Sequence, residues 1–272
     1  MAGLLAFHAH PDDESISMGG TMAELAGRGV PVTVVTATRG EAGEIHGEPD
    51  PESVRPRLGE MREAEERAAL AVLGVTDIEF LGYRDSGMMG TPENSRRDAF
   101  WNADFMEATG RLVRLIRDRR PTVVTAYDPF GGYGHPDHVQ VHRVGTAAFF
   151  GAPDRGRFPV SEFGEPWEPE TLLWASWSRD RMIRVRRAMQ ADLGADDPGE
   201  EPATGFLSRF LTLRRDVSRF AETKHRALLC HSTQFSAESW VRGAAADLRS
   251  EFLGEEVFVG VWAASGDPFA AL

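Results

Sequence analysis

Cysteine and lysine are nearly absent from this chain. Cys230 is the one cysteine in 272 residues, so no internal disulfide can form and a zinc site built from several thiolates is excluded. A reducing compartment, the cytoplasm, is therefore the expected location. Lys224 is the one lysine, which leaves Schiff-base catalysis a single candidate. No apolar run approaches the roughly 20 residues of a spanning helix. Met1 to Phe7 is too short and too uncharged for a secretory signal. An excess of positive charge is missing too. With 42 acidic against 30 basic residues the formal charge is −12, which argues against nucleic acid or an anionic membrane as main partner. Gly19-Gly20 lacks the spacing of a dinucleotide fingerprint, so no nicotinamide or flavin role is assigned.

What is present reads as an ordinary globular chain, long enough for one large α/β domain. Strands are predicted at residues 4–7, 32–36, 78–81 and 123–127. They alternate with helices at 17–28, closed by Gly29, at 57–73, closed by Gly74, at 104–119 and at 139–150. The alternation predicts a Rossmann-like α/β fold, a mostly parallel sheet with helices on both faces and an active site at the carboxyl-end rim of the strands. Residues 1–150 are expected to form a metal-hydrolase core. Residues 151–272 are read as a variable insertion plus C-terminal elements that complete the same domain. They carry strands at 172–176, 210–217 and 257–262, a helix at 219–229, and an exposed acidic loop at 192–204.

The chemically suggestive residues follow the first four strands, at 8–14, 39–44, 84–88 and 128–138. In the first cluster, His10 and Asp13 stand three residues apart. The later His135-Pro136-Asp137-His138 adds His138. Two imidazoles and a carboxylate suit a catalytic zinc, because three protein ligands leave one position for water. Asp12, between the two ligands, can take the proton of that water. His135 can protonate the leaving amine or stabilise an oxyanion, Asp137 can hold the His135 ring, and Tyr133 can donate to the oxyanion. Each residue also has a plain reading. Asp12, Asp13 and Glu14 suit a helix N-terminus in any protein, and a lone histidine at a strand end is usually structural. Two clusters that both carry His-Pro-Asp after strands outweigh those readings. His142, one turn beyond His138, is expected to support the site or the fold and not to ligate.

Ala9-His10-Pro11-Asp12-Asp13-Glu14 and Gly134-His135-Pro136-Asp137-His138 resemble the two signature motifs of the LmbE-like, or PIG-L-type, zinc deacetylases. Arg39 to Glu44, Arg84 to Met88 and Tyr127 to His138 look especially like the deacetylases of N-acetylglucosaminyl-inositol in mycothiol biosynthesis, and like the related mycothiol S-conjugate amidases. The resemblance covers about residues 3–150 and returns weakly over 224–234. It implies one zinc per chain on His10, Asp13 and His138, with Fe(II) also suited to these donors. It further implies Asp12 as general base, His135 as general acid or electrostatic stabiliser oriented by Asp137, Tyr133 on the reacting carbonyl, and Arg62 and Asp85 on sugar hydroxyls. The function implied is N-deacetylation of a small N-acetylglucosamine-containing molecule. An S-conjugate amidase and a natural-product tailoring deacylase are the neighbouring alternatives. A metal phosphoesterase is disfavoured because few arginines flank the ligands, and a non-enzymatic sugar-binding module would have lost the base or the ligands. A homo-oligomer stays open.

Overall fold

The computed structural model describes residues 3–192, 204–236, 239–243, 246–263 and 265–272. Strands β1 (Leu4–His8), β2 (Val32–Thr38) and β4 (Val123–Tyr127) are buried along their whole length. Such central parallel strands are covered on both faces, so they read as continuous apolar or β-branched runs instead of alternating ones. β3 (Asp77–Tyr83) is only partly buried and closes one side of the sheet. β5 (Thr171–Ser176) lies beyond β4, and β7 (Glu255–Trp262) and β6 (Leu213–Asp216) complete the order β3-β2-β1-β4-β5-β7-β6. The first five strands run parallel, and β7 and β6 pair antiparallel.

The long helices fill the two faces of this sheet. Helices α1 (Asp13–Gly27), α2 (Leu58–Leu73) and α6 (Ala221–Cys230) pack on one another. So do α3 (Phe105–Arg119) and α4 (Pro136–Gly151). α5 (Arg179–Asp192) follows β5. Gly74 ends α2 at φ 81, a left-handed position that glycine takes without steric cost. The strand order reverses between β1 and β4, and a doubly wound sheet opens a crevice at the carboxyl ends of such a pair. Both His-Pro-Asp segments leave the sheet there. Among the described residues no helix is long and apolar enough to cross a membrane.

Three boundaries differ from the sequence reading by three residues or more. α1 begins at Asp13 instead of residue 17, and α4 at Pro136 instead of residue 139. The motif residues read as loop are in fact helix first turns, since proline at a first helical position and acidic residues beside it are compatible with both states. The strand expected over 210–217 is confined to Leu213–Asp216, with a 3-10 turn at Ser208–Phe210 before it. Most of the acidic 192–204 segment falls outside the described residues.

Candidate metal centre and active site

His10 opens the turn between β1 and α1, and Asp13 opens α1. The carboxylate of Asp13 is anchored at once, because its Oδ2 accepts the His10 amide at 2.9 Å. His138 sits in the first turn of α4. Its Nδ1–H donates to the Gly131 carbonyl at 3.2 Å, which leaves the Nε2 lone pair free to face Asp13. The His10 ring is held from its far side, where Nε2–H donates to Asp137 Oδ2 at 3.1 Å, so its Nδ1 lone pair faces the same point. The three resulting atoms form a nearly regular triangle. His10 Nδ1 is 3.5 Å from Asp13 Oδ2, Asp13 Oδ2 is 3.3 Å from His138 Nε2, and the two nitrogens are 3.3 Å apart. Ligands bound at 2.0–2.2 Å around a tetrahedral ion stand about 3.3–3.6 Å apart. These residues therefore fit a divalent metal in spacing, in donor type and in tautomer.

His10, His135 and His138 also offer one nitrogen each within 4.8 Å, and His10, Asp85, His135 and Asp137 form a further group. The last group engages the edge of His10 that Asp137 already holds. The triangle with Asp13 has the tighter spacing and the two free lone pairs, and it is the better metal seat.

The electrostatics agree with a cation at this point. Burial opposes the imidazolium of His10, but Asp85, Asp13 and Asp137 around it carry its pKa well above the ordinary value. Burial likewise opposes the Asp13 carboxylate, yet His138 and His10 hold it well below its usual range. An enclosed cluster of three carboxylates is stable only with positive charge among them.

Asp12 borders the triangle. It has φ 115 and ψ −31, a strained backbone for a residue with a side chain. Burial pushes its carboxyl up to about 6, opposed by the Arg62 guanidinium. Arg62 reaches in from α2 and is 3% exposed. Its Nη2 donates to Asp12 Oδ2 at 3.1 Å and to the Pro11 carbonyl at 2.6 Å, and its Nη1 to the Gly40 carbonyl at 2.8 Å. Arg62 borders the cleft, but these donors serve Asp12 and two backbone loops, whereas the sequence reading gives them to sugar hydroxyls.

The Gly131–Gly134 stretch folds over His138 because three of its glycines adopt positive φ. A Cβ on Gly131 would come within 2.3 Å of His138 Cβ, and one on Gly132 within 2.0 Å of the Trp177 ring. The loop carries Tyr133, half-exposed at the rim with its hydroxyl 3.5 Å from His138 Nε2. His135 caps α4, and its Nδ1 accepts the Asp137 amide at 3.2 Å. The proton of the neutral ring is thereby on Nε2, which lies 3.9 Å from Asp85 Oδ1. Burial, followed by the nearby His10 and His138, pushes the His135 pKa down to about 2.

One expected partnership is replaced. The sequence reading has Asp137 orienting His135, but its carboxylate accepts from His10 Nε2, from the Ser86 amide at 2.9 Å and from the Ser86 hydroxyl. The group of Asp137 that hydrogen-bonds the His135 ring is its backbone amide. The reason is helix geometry. At the start of α4 the amide of residue 137 points back at the capping side chain, while the side chain of residue 137 turns inward to the segments that follow β1 and β3. The carboxylate beside His135 is Asp85, 5% exposed. Its oxygens accept from Gly87 at 2.8 Å and Ala42 at 3.2 Å, and it lines the cleft.

His10 and Asp13 of the triangle, with Asp12, Asp85, Tyr133 and His135, open on one cleft of about 390 Å³, walled also by Glu44, Thr91 and Gln234, and His138 lies buried behind them. The sequence reading gives Ser86 and Gln234 no role of their own, although both lie in segments that resemble the family, 84–88 and 224–234. His142 stays outside, its Nδ1 on the Tyr127 carbonyl at 3.0 Å and its ring on Trp174. Lys224 is buried against Glu256 at 2.7 Å, away from the cleft, and has no place in the chemistry.

The chain is similar to known proteins over most of its length. Residues 5–149 match the family model described as PIG-L, GlcNAc-PI de-N-acetylase. The 1D-myo-inositol 2-acetamido-2-deoxy-alpha-D-glucopyranoside deacetylase of Streptomyces avermitilis is 43% identical over 250 residues, covering 86% of this chain and 83% of its own. The enzyme of the same name from Thermobifida fusca is 44% identical over 244 residues, covering 85% and 82%. Among solved structures, N,N'-diacetylchitobiose deacetylase from Pyrococcus horikoshii superposes with a TM-score of 0.66 at 21% identity, over 96% of this chain and 84% of that one. At that identity the likeness concerns the fold.

Proposed function

The chain belongs to the PIG-L family, and from that membership and the geometry of its cleft we propose that it is a metal-dependent amide hydrolase that removes the acetyl group from an N-acetylglucosamine-containing small molecule, N-acetylglucosaminyl-inositol above others. The observation that carries the reading is the triangle of His10 Nδ1, Asp13 Oδ2 and His138 Nε2 with Asp12 at its border. These three residues would hold one ion, and two imidazoles with one carboxylate favour zinc, with Fe(II) the next choice. Bound there, the ion would acidify a water and polarise the acyl carbonyl.

The remaining steps belong to the chain's own side chains. Asp12, with its carboxylate steadied by Arg62, accepts the proton of the attacking water. His135 offers its Nε2–H to the carbonyl oxygen as negative charge develops, and the Tyr133 hydroxyl does so from the rim. The C–N bond breaks, the acyl carbon keeps the water oxygen, and the amine departs with the proton that Asp12 received. Asp85 binds sugar hydroxyls through lone pairs left by its two backbone contacts. Asp137 serves through His10, since a carboxylate behind a ligand histidine fixes its ring and raises its basicity.

The test is amine release by zinc-loaded protein from N-acetylglucosamine, N-acetylglucosaminyl-inositol and a thiol conjugate of the amino-sugar scaffold. The expected order places N-acetylglucosaminyl-inositol first. Faster cleavage of the thiol conjugate would make the chain an S-conjugate amidase, and no release from any of the three would end the deacetylase reading.

A further inference from the structure

Asp12 keeps a backbone conformation that is strained for a residue other than glycine, and such a residue persists only where its surroundings over-determine it. Arg62 secures the carboxylate. Arg62 also holds the Pro11 carbonyl of the peptide that joins Pro11 to Asp12, and the amide side of that peptide is secured by other residues. The Asp12 amide donates to Glu14 Oε2 at 2.8 Å. The second oxygen of Glu14 accepts from the Ser15 hydroxyl at 2.5 Å and from His231 Nε2 at 3.0 Å. Glu14 and His231 are both fully buried. The Nδ1 of His231 has no partner among the described residues, so the bond to Glu14 is the ring's hydrogen bond to the protein. His231 follows directly on α6, 217 positions from Glu14 in sequence.

We propose that Glu14 and His231 are a positioning pair for Asp12, in which Glu14 grips the strained Asp12 amide and His231 fixes Glu14, so that the C-terminal half of the chain sets the direction of the base. The proposal rests on Asp12 being that base. A buried ion pair with no further duty is replaceable by apolar residues at little cost. This one has a strained amide as its third partner, and its loss would let Asp12 relax toward negative φ and swing its carboxylate off the metal triangle. A displacement of about 1 Å at a reacting group costs up to ~100-fold in rate.

The experiment is a double-mutant cycle with a structure at its side. At full zinc occupancy His231→Ala should lower kcat by ~10- to 100-fold with KM and metal content unchanged. In an Asp12→Ala background His231→Ala should change kcat no further, because effects that pass through one residue do not add. Glu14→Gln keeps an oxygen for the Asp12 amide and should retain most of the kcat that Glu14→Ala loses, which serves if His231→Ala folds poorly. Additive losses, equal losses in Gln and Ala, or an unchanged kcat in His231→Ala would overturn the proposal. A crystal structure of the His231→Ala or Glu14→Ala protein decides independently of turnover. Asp12 should leave the positive-φ region, and retention of φ near 115 refutes the pair even if no substrate is ever cleaved.

Discussion

Replacing Asp137 separates two accounts of the site. In the structure its carboxylate accepts from His10 Nε2 at 3.1 Å and from both donors of Ser86, while the His135 ring meets only its amide. Asp137→Ala should then free the His10 ring to rotate and lose the charge that raises its basicity. Losing such a partner behind a ligand weakens metal binding by about 10- to 100-fold, equivalent to about 1.4–2.8 kcal/mol. The Ser86 amide would also be left buried without an acceptor, at about 1–3 kcal/mol of stability. Asp137→Asn keeps the shape and an acceptor oxygen, so its loss of affinity should be smaller than that of Ala. The assay is competition for zinc against a chromophoric chelator at fixed pH, which needs no substrate, with His135→Ala as a control that should bind zinc like the wild type. The reasoning is refuted if Asp137→Ala keeps wild-type zinc affinity and loses only turnover in step with His135→Ala, the pattern expected of a residue that orients His135.

Three further outcomes follow from the same geometry. His138→Ala should lose bound metal while His142→Ala keeps it, as measured by metal per chain after dialysis, because His142 is bonded to the Tyr127 carbonyl and not to the triangle. Gly131→Ala should also lower metal content, since its new Cβ would meet His138 Cβ at 2.3 Å on a backbone at φ 55. In metal-free protein, the Asp12 carboxyl is pushed up to about 6 against an unfolded value near 3.8. The folded state thus binds the extra proton, and this residue's contribution to stability falls as pH rises from about 4 to 6. Asp12→Asn should remove that slope from the pH dependence of the Tm, and an identical slope in both proteins would contradict the buried environment of Asp12.

The sequence carried the α/β class, because buried parallel strands such as Val32–Thr38 are local runs of β-branched residues, and helix ends such as Gly74 are local punctuation. It also singled out His10, Asp13 and His138 as candidate donors, because histidine and carboxylate recur in two His-Pro-Asp segments after strands, and the fold brings these three side chains together. It could not carry the helix starts at Asp13 and Pro136, where one composition serves both loop and first turn. Partners remote in sequence were equally beyond reach. Asp137 bonds a histidine 127 positions away, Arg62 clamps Asp12 from another helix, and His231 backs Glu14 from the end of the chain. A motif states which groups are available and at what spacing along the chain. The direction each group faces depends on the sheet order that sets β1 beside β4, on the glycine loop over His138 and on the strained turn at Asp12, and those are properties of the packed molecule.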